Sequence, residues 1–128
     1  MANPKILIID DVSVMRSLLV AVLRPFGYSD FEQVSSGAEG IRQYELGRHD
    51  LVFLDIEMPD MNGFETLQAI KAINPAAFVV MVSAHGNADN VAEAANLGAD
   101  GFVVKAYSPG SMAGMVKNFQ EHLGKLKP

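Results

Sequence analysis

Five short runs of branched and aromatic apolar residues, separated by stretches of helical periodicity, constrain this chain more than any other feature. The runs are Lys5–Ile9, Phe31–Val34, Leu51–Leu54, Phe78–Val82 and Gly101–Val104. Runs this short and this rich in Ile, Val and Leu read as strands of a parallel sheet covered on both faces. Between the first two, Val14, Met15, Leu18, Leu19, Val22, Leu23 and Phe26 recur at helical spacing, and Pro25-Phe26-Gly27 closes that helix. Ser36 is the expected N-cap of a second helix reaching about Leu46, with Gly47 just past its end. A third helix is expected over Gly63 to Ile73, ended by Asn74-Pro75, and a fourth over Ala88 to Leu97, ended by Gly98. Ser108 and Pro109 supply an N-cap and first residue for a fifth. The expected fold class is α/β, a (βα)₅ doubly wound parallel sheet with right-handed crossovers.

In open sheets of this kind, ligands bind off the carboxyl ends of the strands, near the point where strand order reverses. Asp10 and Asp11 end the first strand and Asp55 the third. In a 2-1-3-4-5 order those strands are neighbours, so the carboxylates converge. Gathered carboxylates without a counter-ion are costly, and they ask for a hard cation. Oxygen-only ligands fit Mg²⁺, which keeps several waters and is usually completed by a phosphate, with Mn²⁺ as the alternative ion. Ser83 ends the fourth strand and Lys105 the fifth, adding a hydroxyl and an ammonium to the same edge. Cation, ammonium and hydroxyl are what a transferring phosphoryl group needs, and a carboxylate can itself be the nucleophile. Asp55 stands alone ahead of a turn-rich loop, which favours it as nucleophile; the adjacent pair Asp10 and Asp11 fits metal binding better. The residues alone leave that choice open.

Composition narrows the classes. A chain of 128 residues, about half of them apolar, suits one domain over residues 1–128. The net charge of −5 argues against direct binding to nucleic acid. The longest apolar stretch, Ala76 to Val82, is too short to span a bilayer, and no secretory signal is visible. With no cysteine there is no thiol chemistry, which agrees with a cytoplasmic location.

Together these motifs resemble the receiver domains of bacterial two-component response regulators, over essentially the whole chain. Ile8-Ile9-Asp10-Asp11 resembles the family's acidic pair, and Leu54-Asp55-Ile56-Glu57-Met58-Pro59 its phospho-acceptor segment. Asn62-Gly63 resembles the turn into the third helix, Ser83-Ala84 the hydroxyl and small residue, and Gly101 to Lys105 the last strand with its lysine. The resemblance implies a flavodoxin-like receiver fold, order 2-1-3-4-5, of the single-domain chemotaxis type. It implies that Asp55 takes a phosphoryl group from a histidine kinase or phosphotransfer protein. Asp11, Asp55 and the backbone carbonyl of Glu57 would hold Mg²⁺, with Asp10 acting through water, and Ser83 and Lys105 would bind the phosphoryl oxygens. Ser83 and Phe102 would form the switch pair. A downstream protein would dock on the face of the fourth helix, fifth strand and fifth helix. The chain would be no enzyme in the ordinary sense, beyond self-phosphorylation from phosphodonors and autodephosphorylation.

Several positions depart from the family. Ala106 follows Lys105 where the family usually has a cis proline. A non-proline cis bond costs about 2.5–4 kcal/mol, so a trans bond is expected. Phe102 has no hydroxyl to hydrogen-bond when exposed, so its ring is expected mostly inward in every state. Glu57 and His85 are either two solvated side chains or a contact that gates the hydrolytic water. No second nitrogen or sulfur ligand accompanies His85, which argues against zinc there, and His49 and His122 carry no assigned role. Gly110 and Gly114 in the fifth helix point to close packing on the sheet or to a loosely held helix. The fourth helix holds Asp89 and Glu93 but no lysine or arginine, against a charge-paired dimer. Competing classes are an interaction module that signals without phosphorylation and an aspartyl-phosphate hydrolase. The latter expects alternating aspartates and a cap insertion. The flavin-binding phosphate loop and the Gly-x-x-x-x-Gly-Lys nucleotide loop are both absent.

Overall fold

The computed structural model describes residues 3–105 and 107–125. It follows the order β1 (Lys5–Ile9), α1 (Ser13–Leu23), a 3₁₀ turn (Arg24–Phe26), β2 (Asp30–Val34), α2 (Gly37–Gly47), β3 (Leu51–Asp55), α3 (Gly63–Ile73), β4 (Val79–Ser83), α4 (Ala88–Asn96), β5 (Gly101–Val104) and α5 (Pro109–Lys125). The strands form one sheet in the order β2-β1-β3-β4-β5, and every pair is parallel. This is the flavodoxin-like receiver topology that the sequence implies.

Alternation along the strands divides the core in two. Ile6, Ile8, Leu51, Phe53, Val80, Val82 and Val103 pack with Leu19 and Leu23 of α1 and Met112, Val116 and Phe119 of α5. Leu7, Ile9, Val52, Leu54, Val79 and Met81 pack on the other face with Tyr44 of α2, Leu67 and Ile70 of α3 and Ala94 of α4. With both faces covered, β1, β3 and β4 are almost wholly apolar; Asp55 and Ser83 end β3 and β4, and Asp10 follows β1.

Element ends differ from expectation in small, explicable ways. Phe78 lies outside β4, its ring 5.4 Å from that of Phe119, and the strand starts at Val79, whose N–H donates to the Asp100 carboxylate at 2.9 Å. Gly47 is the last residue of α2, and Arg48 takes the left-handed cap (φ 47°) instead. A Cβ at Gly47 would press on the His49 ring, so close approach rather than capping explains that glycine. Val14 and Leu18, despite their helical spacing, face outward, 70% and 40% exposed.

One expectation about α5 needs correction. A Cβ at Gly110 or Gly114 would meet nothing within 4 Å, so these glycines do not pack closely on the sheet. Phe102, expected mostly inward, packs half-buried against the α2–α4 side of the core. Phe102 lines two cavities, one of about 180 Å³ with Ala94 and Ala95 of α4 and one of about 230 Å³ with Gly114 of α5. The Lys105–Ala106 bond involves a residue outside those described.

Candidate functional site

Parallel register delivers three carboxylates to one place. Ile9 of β1 pairs with Leu54 of β3, so Asp10 and Asp55 follow side by side, with Asp11 next along the chain. Each of the three offers an oxygen within 4.8 Å of the others. Asp10 and Asp55 are buried, 3% and 1% exposed, whereas Asp11 is open to solvent. Asp10 is locked from both ends. Its Oδ1 accepts from the Val12 N–H at 2.9 Å, and its carbonyl accepts from the Arg16 guanidinium at 2.6 Å.

Lys105 enters from the end of β5. Its Nζ lies 3.3 Å from Asp55 Oδ2 and 3.4 Å from Asp10 Oδ2. Burial weakens its hold on the proton, but the charges of Asp55 and Asp10 outweigh that and raise its pKa. Asp55 is pushed the other way for a carboxyl, up to about 7, by burial first and then by Asp10, with Lys105 only partly compensating. Asp55 Oδ2 is buried without a hydrogen bond, while Oδ1 accepts from the Glu57 N–H at 3.3 Å. Asp10, Asp11 and Asp55 outnumber the Lys105 ammonium set among them, an excess of negative charge that a divalent cation would offset. A buried oxygen with no hydrogen bond beyond its ion pair with Lys105, within an all-oxygen donor set, fits a hard ion such as Mg²⁺.

A second cluster lies beside the first, on the loops after β3 and β4. Ser83 Oγ is 2.9 Å from both carboxylate oxygens of Glu57, and the Ala84 N–H donates to Glu57 Oε1 at 3.2 Å. His85 Nδ1 is 3.6 Å from the same oxygen. The expected Glu57–His85 contact therefore exists, and Glu57 is not a freely solvated side chain. Among the described residues, the side-chain hydrogen bonds of Ser83 go to Glu57 and the His85 backbone and none to Asp10, Asp11 or Asp55.

Sequence reasoning missed two members of the site. Arg16 is the sole charged residue of α1, and that isolation in an apolar helix was the available signal. Tyr107, buried in the α1–α5 half of the core with φ 28°, is held protonated by burial and by Asp10 and Asp55. No sequence signal marks it.

Gly63 joins the site to the scaffold. A Cβ there would overlap the backbone of Asp55 and Ile56, and its N–H donates to the Ile56 carbonyl at 2.9 Å. Only glycine lets α3 start so close beneath the Asp55 backbone.

With this geometry established, comparison with known proteins gives a direct answer. The family model of the response regulator receiver domain matches residues 6–117. The chain belongs to that family. It is a receiver domain of the CheY type, 35% identical over 105 residues to the chemotaxis protein CheY of Thermotoga maritima, which covers 82% of this chain and 88% of that protein. The chemotaxis protein CheY of Bacillus subtilis is 36% identical over 103 residues, covering 80% and 86%. Among solved structures, a CheY-like receiver domain from Methanospirillum hungatei superposes with a TM-score of 0.86 at 26% identity, over 97% of this chain and 99% of that one. A receiver domain from Clostridium thermocellum gives 0.87 at 28% identity over the same shares.

Proposed function

We propose that this receiver domain accepts a phosphoryl group on Asp55 from the phosphohistidine of a kinase or phosphotransfer protein and signals by altered binding to a second protein. The observation that carries the reading is the Asp10–Asp11–Asp55 cluster with Lys105 at 3.3 Å from the Asp55 oxygen that has no hydrogen bond.

Asp55 Oδ2 attacks phosphorus while the bond from phosphorus to the donor's imidazole nitrogen breaks, and that nitrogen keeps the electron pair and takes a proton from solvent. Lys105, held protonated, follows the charge from the Asp55 oxygen onto the phosphoryl oxygens. Asp10, Asp11, Asp55 and the carbonyl of Glu57 would hold Mg²⁺ or Mn²⁺. The bound ion would shield the phosphoryl oxygens from the carboxylates as the charges approach. Ser83 supplies the remaining donor once it parts from Glu57, and Phe102, lining two cavities, moves with it as the switch partner. Glu57 and His85 flank the path of the water that later hydrolyses the acyl phosphate. The chain is thus a phospho-acceptor with self-phosphorylation and autodephosphorylation, not an enzyme acting on a second substrate.

Exposed Val12, Val14 and Leu18 lie on the segment that follows Asp11 and offer the donor protein an apolar foothold. The α4–β5–α5 face, with its two cavities beside Phe102, is the surface for the downstream target. Among the described residues no helix is long and apolar enough to cross a membrane, and we assign the protein to cytoplasmic, chemotaxis-type signalling. The test is incubation with acetyl phosphate and Mg²⁺, read by intact mass. One phosphoryl group should be gained by the native protein, with none gained by Asp55→Asn or in the presence of a chelator. Labelling that survives Asp55→Asn would exclude this assignment.

A further inference from the structure

Phosphoryl transfer to Asp55 does not by itself explain how firmly the second cluster grips the Glu57 carboxylate in the unphosphorylated protein. A buried hydroxyl, a backbone N–H and an imidazole converge on this single anion, at 2.9 Å from Ser83 Oγ, 3.2 Å from the Ala84 nitrogen and 3.6 Å from His85 Nδ1. Ser83 is fully buried and belongs to a fixed turn. Its Oγ accepts from the His85 N–H at 2.9 Å, and the His85 carbonyl is held by the Asn90 side chain at 3.1 Å. The hydroxyl has a single proton to give. The Glu57 carboxylate oxygens, at 2.9 Å, and the His85 carbonyl, at 3.1 Å, compete for it.

We propose that the Glu57 carboxylate is an internal anion occupying the Ser83 and Ala84 donors that a phosphoryl group on Asp55 needs, so that phosphorylation must expel it. The idea rests on Asp55 being the acceptor. A phosphoryl group brings close to two negative charges and three strong acceptor oxygens. A carboxylate and a phosphoryl group cannot share one hydroxyl proton, and their like charges repel across the gap. Expulsion is feasible because the Glu57 side chain is 43% exposed and His85, 71% exposed, can follow it outward as a partner. The Glu57 N–H bond to Asp55 Oδ1 keeps the peptide in place while the side chain leaves. Ser83 is thereby held in its unphosphorylated bonding by an acid of its own chain, and Glu57 sets how readily anions enter the site.

Beryllofluoride with Mg²⁺, a tetrahedral anion that mimics a phosphoryl group on a carboxylate, is the probe. Its affinity is measured by ¹⁹F NMR, and the Ala84 amide is followed by ¹H–¹⁵N NMR before any metal or anion is added. Glu57→Ala should tighten beryllofluoride binding about tenfold, and Glu57→Gln, which keeps the shape of the loop but loses the charge, by a smaller factor. In the ligand-free protein both variants should move the Ala84 amide proton upfield, as its charge-assisted bond is lost. Unchanged or weaker binding in Glu57→Ala, or an Ala84 amide that does not move, overturns the proposal while leaving Asp55 as acceptor. No binding to the native protein, or full binding to Asp55→Asn, overturns the acceptor assignment and this proposal with it.

Discussion

Burial and the neighbouring charge of Asp10 raise the Asp55 carboxyl to about 7, and that shift has a consequence for folding. An acid with a raised folded pKa binds its proton more tightly in the native chain than in the unfolded one. The native state is favoured below about pH 4, and the advantage is lost as pH rises through about 7, where the buried charge must be borne. Asp55→Asn removes that burden. In metal-free buffer it should stabilise the protein at pH 8 by roughly 1–4 kcal/mol, and far less at pH 4.5, as read by urea denaturation. Equal effects at both pH values would show that the carboxyl is not strained by its surroundings. Asp10, Asp11, Asp55 and Lys105 were legible in the sequence because a strand end fixes where the next residue sits. The hold of Ser83 on Glu57 was not. It depends on side-chain torsions across two loops, and 26 residues separate the partners. His49, given no role from its position, proved buried and paired with Glu32 at 2.7 Å.

At the level of elements, helix ends show how local chemistry meets tertiary demand. α3 runs over the residues read from the sequence because Asn62 and Glu65 form a reciprocal cap at its start and Asn74-Pro75 stops it. α2 overshoots by one residue because Arg48, not glycine, adopts the left-handed conformation. Gly63 and Gly114 are both helical glycines with opposite surroundings, and they should answer mutation oppositely. Gly114→Ala adds a methyl to open space and a better helix former, and should stabilise the protein by about 0.5–1 kcal/mol. Gly63→Ala forces a Cβ onto the backbone of Asp55 and should cost roughly 2 kcal/mol or more and slow phosphorylation. Chemical denaturation checks both; a stabilising Gly63→Ala would show that the approach of α3 to β3 is softer than drawn here. Phe102, expected mostly inward, is packed half-buried against the α2–α4 side of the core. Its own chemistry favoured burial, and the space around it is set by alanines and a glycine on α4 and α5.

Across the whole molecule, the parallel sheet separates stability from function. Its apolar strands and both half-cores are closed by helices, while the acids, the ammonium and the hydroxyl collect at the carboxyl edge, where nothing apolar compensates them. A bound divalent cation should therefore act as a folding ligand. Millimolar Mg²⁺ should raise the melting temperature of the native protein by a few degrees at pH 8, and should leave Asp55→Asn nearly unmoved. A shift of equal size in both would place the ion elsewhere. The topology could be read from the sequence because alternation and crossover handedness leave few arrangements for five short strands.

The most direct measurement is chemical trapping of the phosphorylated residue. Protein treated with acetyl phosphate and Mg²⁺ is reduced with borohydride, which converts an acyl phosphate to an alcohol, and its peptides are sequenced by mass spectrometry. The account predicts that residue 55 alone is reduced, and that the mark is absent without the phosphodonor. Reduction at residue 10 or 11, or at no aspartate in a preparation that has gained phosphate, would contradict it.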